Sequence, residues 1–152
     1  MTRSGGSASR SPNVSDRLFS VSEVNALIPK LEQLVARMQR RGAELRQAVR
    51  EAMKTRGSDE DEAIPVGELL RLRPDVEPAA QEMEAVLREI EEIGGEFKGL
   101  DLGLVDFRGE VEGEIVLLCW QYGETEVGFY HPIDEGFGSR RPLPRTRPRL
   151  LQ

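Results

Sequence analysis

From Val24 to Val49 the apolar residues Val24, Ile28, Leu31, Val35, Met38, Leu45 and Val49 recur at alternating steps of four and three, with Gly42 in the one missing position. An extended strand cannot keep that period, so about 35 residues from position 20 must form one helix with an apolar stripe along its length. Leu27 and Leu34 widen the stripe, which implies more than one packing neighbour. The start is marked twice. Ser20 and Glu23 have the spacing of a capping box, and Phe19 and Val24 have that of a hydrophobic staple. Pro29 lies inside the pattern and should bend the first third of the helix, because it cannot donate to the Asn25 carbonyl.

After about Lys54 the segment "TRGSDEDEAIP" breaks the period, and "VGELLRLR" adds a short helical piece. A second stripe follows at Val76, Ala79, Met83, Val86, Ile90 and Ile93, ending at Gly94-Gly95, where glycine accepts the left-handed conformation of a helix C-terminus. Two matched stripes with a polar connection predict an antiparallel helical hairpin over about 20–94. The period then falls to two. "GLVDF", "EIVLLCWQY" and "TEVGFYH" read as three strands of a meander over about 103–132. A two-residue turn at Gly123-Glu124 would set Tyr122 opposite Thr125, Trp120 opposite Val127, Leu118 opposite Phe129 and Val116 opposite His131. The expected fold is α+β: a helical hairpin packed on a three-stranded antiparallel meander. The middle strand is apolar on both faces, so its second face needs a further cover, such as a second copy of the chain in a homodimer.

This domain is expected over 18–143, between an N-terminal arm at 1–17 and a Pro/Arg tail at 144–152, both read as disordered because they carry few large apolar side chains. Charge follows the same division. Of the 21 basic and 27 acidic residues, 3 and 1 fall in residues 1–18, and 5 and 0 fall in 136–152, leaving 13 and 26 in the body. An acidic body repels phosphates, which argues against nucleic acid as a partner except through the basic tail. A single cysteine, Cys119, excludes an internal disulfide and any multi-cysteine metal site; inside "IVLLCW" it reads as a small buried hydrophobe. No secretory h-region or membrane span is apparent, so a cytoplasmic location is expected.

The strings "FSVSEVNALIPKL", "GGEFKGLDLGLVDF" and "VLLCWQYGETEVGFYHPIDEGFGSRRPL" resemble a family of small bacterial proteins catalogued as domain of unknown function 2203. The resemblance spans about Phe19 to Leu143, and its C-terminal pattern has the form L-C-W-x-x-G-E, then H-x-x-D-x-G-F-x-x-R-x-P. It marks Glu96, Lys98, Asp106, Glu124, His131, Asp134 and Arg141 as matching polar positions. Gly99 departs from the pattern, standing where the family often has an acid. The resemblance brings positions and no established activity.

His131 is the only histidine. With Asp106 and Asp134 it forms one candidate set of ligands for a divalent metal, since imidazole and carboxylates suit zinc or a transition ion. Glu96, Lys98, Glu124 and Arg141 are the candidate binding residues beside it. Glu124 lies about seven residues from His131 along the expected hairpin, roughly 20 Å in extended chain, so it would join only across a subunit interface. In the bland reading His131 simply ends a strand and Asp134 makes an Asx turn. The chain has no phosphate loop and no nucleophile elbow, so an enzyme is not the leading expectation. That expectation is a noncatalytic interaction or adaptor protein, acting through the helical hairpin on an unknown protein partner. The alternative is a metal-binding protein or metal-dependent hydrolase at Asp106, His131 and Asp134.

Overall fold

The computed structural model describes residues 17–57 and 63–144. The expected disordered arm and tail therefore lie, apart from Arg17 and Pro144, outside the described residues. Helix α1 runs from Val21 to Arg56 without interruption at Pro29. Both halves of the capping box are made: the Glu23 amide donates to Ser20 Oγ at 3.0 Å and the Ser20 amide to Glu23 Oε1 at 2.9 Å. Gly57 ends the helix in the left-handed conformation. Two shorter helices follow, α2 at Val66–Leu72 and α3 at Glu77–Glu92, joined by a 3₁₀ turn at Pro74–Val76. Ion pairs from Lys30 to Glu89 and from Arg37 and Arg41 to Glu82 show that α3 runs antiparallel to α1.

Among the described residues five antiparallel strands follow, in spatial order β1-β2-β3-β4-β5: Glu96–Gly99, Leu104–Val111, Glu114–Gln121, Phe129–Pro132 and Arg141–Pro142. The expectation of three strands is corrected to five, and that of a simple helical hairpin to one long helix followed by two shorter ones. The two added strands, β1 and β5, are short edge strands whose four and two residues give too little alternation to reveal a period.

The stripe of α1 is buried inside the chain. Val24, Leu31, Val35 and Met38 pack with Val86 and Ile90 of α3 and with Val105, Phe107, Val116, Leu118 and Trp120 of the sheet. A second cluster at the far end of α1 joins Ala48 and Ala52 to Leu69 and Val76. Among the described residues no helix is long and apolar enough to cross a membrane.

The β3–β4 register also differs from expectation. Leu117 faces His131, Leu118 faces Tyr130 and Cys119 faces Phe129, one residue away from the register a two-residue turn would impose. The connection spans residues 122–128 instead. It is held by Trp120 Nε1 donating to the Glu124 carbonyl at 2.9 Å and by the Val127 amide donating to Asn25 Oδ1 of α1 at 2.7 Å. These bonds to the strand end and to α1 stabilise a longer loop than local turn chemistry favours. A slip of one residue exchanges the faces of a strand. His131 therefore lies on the face of Leu117 and Cys119, not on that of Trp120 and Leu118.

Close backbone approach supplies a test of this packing. A Cβ on Gly109 of β2 would lie 2.7 Å from Leu118 Cδ1 and 2.9 Å from the Phe19 carbonyl oxygen, whereas one on Gly128 meets nothing within 4 Å. Gly109→Ala should lower stability by about 1–3 kcal/mol in urea denaturation. Gly128→Ala should stay within about 0.5 kcal/mol of the parent.

Candidate functional site

Because Val105 and Phe107 point to the helices, Asp106 between them must point to the opposite face of the sheet. It pairs with Cys119 across β2–β3, and Cys119 pairs with Phe129, so the corrected register carries His131 onto the same face. The side chains of Asp106 and His131 are each 2 % exposed, and they are the only buried polar or charged residues among those described. One ligand atom from each of Asp106, Cys119 and His131 lies within 4.8 Å of the others.

The hydrogen bonds fix what each atom can do. His131 Nδ1 lies 2.9 Å from the Pro132 carbonyl oxygen, which can only accept, so Nδ1 carries a hydrogen and donates it. In a neutral imidazole Nε2 is then left with a lone pair, yet it sits 2.9 Å from Asp106 Oδ2. That contact requires a proton or a metal ion shared between the two atoms. Lys98 Nζ also donates to Asp106 Oδ2 at 3.0 Å, while Asp106 Oδ1 is buried and has no hydrogen-bond partner among the described residues. Lys98 lies 3.4 Å from Glu96 Oε1 as well. Burial acts to lower the pKa of the Lys98 ammonium, but its bond and charge interaction with Asp106, together with Glu96, outweigh that and hold it above its ordinary value.

The cover that the second sheet face requires comes from this chain. Beyond β4 a 3₁₀ turn at Phe137–Ser139 brings back Arg140. Its guanidinium donates to Cys119 Sγ at 3.4 Å, to the Cys119 carbonyl at 3.2 Å and to both carboxylate oxygens of Glu124 at 2.9 Å. It also lies over the rings of Phe129 and Phe137, at 4.2 and 5.0 Å from their centroids. Burial, followed by the charge of Asp106, pushes the Cys119 thiol from its ordinary 9.0 up to about 11, although Arg140 pulls the other way.

The structure brings Glu96, Lys98, Asp106 and His131 together and adds Cys119, read above as a small buried hydrophobe, and Arg140. Three expectations are corrected. Asp134 is exposed in the turn after β4, outside the cluster. Arg141 lies on the edge strand β5, half-exposed, 3.9 Å from Glu135. Glu124 joins within one chain, through Arg140, because the longer loop folds it back so that Oε1 accepts from the Gln121 amide at 2.8 Å. Arg140 had a sequence signal: the spacing G-F-x-x-R counted from Gly136 reaches Arg140, not Arg141. Cys119 had only alternation to mark it, since its neighbours on both faces are apolar.

Among known proteins, a family model described as an uncharacterised conserved protein, DUF2203, matches residues 17–143. No curated protein and no solved structure matches the chain.

The raised thiol gives a pH dependence of known sign. In the unfolded chain Cys119 loses its proton near 9.0, whereas the native protein keeps it until about 11. The native state thus binds the extra proton in that window, and stability falls as pH rises through it. Thermal melts from pH 8 to 11 should show this loss in the parent and a shallower one in Cys119→Ala. At pH 8 iodoacetamide should label the native thiol far more slowly than the urea-unfolded one.

Proposed function

We propose that this chain, which belongs to the DUF2203 family of uncharacterised conserved proteins, is a metal-binding protein whose centre is Asp106, Cys119 and His131. The observation that carries the reading is the buried triad itself: a carboxylate whose Oδ2 lies 2.9 Å from the imidazole Nε2, an imidazole whose Nδ1 is already committed to a carbonyl, and a thiol, with ligand atoms within 4.8 Å. A backbone carbonyl on Nδ1 is the usual partner of a histidine that ligates through Nε2, because it fixes the ring and its tautomer. Sulfur, nitrogen and oxygen donors together suit Zn²⁺, and Co²⁺ as its spectroscopic substitute. Ligation displaces the thiol proton, which is why binding should strengthen with pH.

Three protein ligands leave a fourth tetrahedral position, the arrangement also used in zinc hydrolases. Burial of all three ligands and the lid of Arg140 over Cys119 favour an ion that is held over one that turns over substrate. The adaptor reading has less support from the geometry. The stripe of α1 lies inside the chain, so a partner of the helices would have to meet their outer, charged face.

Untagged protein incubated with Zn²⁺ and desalted should retain about one ion per chain by elemental analysis, the stoichiometry of a single buried site. His131→Ala and Cys119→Ala should each abolish retention while keeping the far-ultraviolet circular dichroism of the parent. Asp134→Ala should retain the ion fully. Absence of Zn²⁺ from the parent protein would leave the triad as a structural charge network and end this reading.

A further inference from the structure

In the pairing of β1 with β2, Glu96 faces Asp106 and Phe97 faces Val105, but the next pair is Gly99 with Leu104. Lys98 is the extra residue of a β-bulge. Such bulges disrupt the ladder locally and re-aim a side chain. Here the side chain spans from the edge of the sheet to a carboxylate that is almost fully buried, with 38 % of the lysine side chain still open to solvent.

Resting on the metal reading above, we propose that Lys98 is the resident counter-cation of the empty centre, which an incoming ion displaces, and that it thereby sets the affinity of the site. Lys98 Nζ occupies Asp106 Oδ2, the carboxylate oxygen that also faces His131 Nε2. An ion bound between Nε2 and Oδ2 cannot share that oxygen with an ammonium group without strong repulsion. The displaced group has a place to go: Glu96 Oε1 is already 3.4 Å away, on the same edge strand. Since Lys98 is partly exposed and belongs to a strand paired on one side only, its movement leaves the rest of the sheet intact. The lysine therefore keeps the carboxylate paired when the centre is empty and makes its metal exchangeable.

The probe is Co²⁺, read by its thiolate-to-metal absorption, with Zn²⁺ measured by competition. Lys98→Met should tighten binding about tenfold, because the competing charge is gone. Lys98→Arg, which keeps a cation at the same place, should stay near the parent affinity, and Glu96→Gln should weaken binding by removing the negative charge that receives the displaced ammonium group. Circular dichroism of each variant confirms that it folds. Binding by Lys98→Met alone, with none by the parent, would end the metal reading for the native chain, and this proposal with it. Equal or weaker binding by Lys98→Met than by a parent that binds overturns the role of Lys98 and leaves the metal centre standing. Failure of both proteins to take up Co²⁺ or Zn²⁺ overturns the metal reading, and this proposal with it.

Discussion

Burial of the α1 stripe against one face of the sheet is the constraint on which the other arrangements depend. Once Val105, Phe107, Val116, Leu118 and Trp120 are committed to that interface, strand alternation sends Asp106, Leu117 and Cys119 to the opposite face. A carboxylate thus lies beside a thiol on the face of the sheet turned away from the helices. The polar network exists because these few positions must be satisfied locally.

Covering that second face changes the electrostatics. Arg140 closes over Cys119, with Glu124 holding the guanidinium by two hydrogen bonds, and the aromatic rings of Phe129 and Phe137 flank it. Burial and the nearby charge of Asp106 hold the thiol in its neutral form, against the opposing pull of Arg140. Lys98 enters from the other side and places a positive charge on Asp106. A buried carboxylate without a partner is strongly destabilising, so Lys98 and His131 together make Asp106 tolerable, while its second oxygen has no hydrogen-bond partner among the described residues. Such a leftover acceptor beside a preoriented imidazole distinguishes this cluster from an ordinary surface ion pair.

Much of the scaffold can be read from residue spacing. The 3.5-residue recurrence locates α1, its capping box locates its first turn, and Gly94 locates the end of the second helical arm, because each is a local preference expressed over consecutive residues. Glu96, Lys98, Asp106 and His131 were each among the candidate polar positions, beside Asp134, Glu124 and Arg141. The members that escaped, Cys119 and Arg140, depend on contacts between residues 21 apart in the chain. The misplaced register had the same origin: Asn25, 102 residues before Val127, captures the amide that a tight turn would have oriented differently.

The sequence alone determined the α+β class, the long helix, the change of period after Gly95 and the polar residues available for a site. Those features follow from propensity, capping and periodicity, which act within a few residues. Tertiary structure decided the five-strand count, the parity of His131 and the choice of Arg140 over Arg141. It also decided that the second sheet face is closed by the chain's own C-terminal segment. Each of these turns on which of two nearly equivalent local geometries is captured by a distant partner, and a one-residue shift in a strand reverses the face on which every side chain stands.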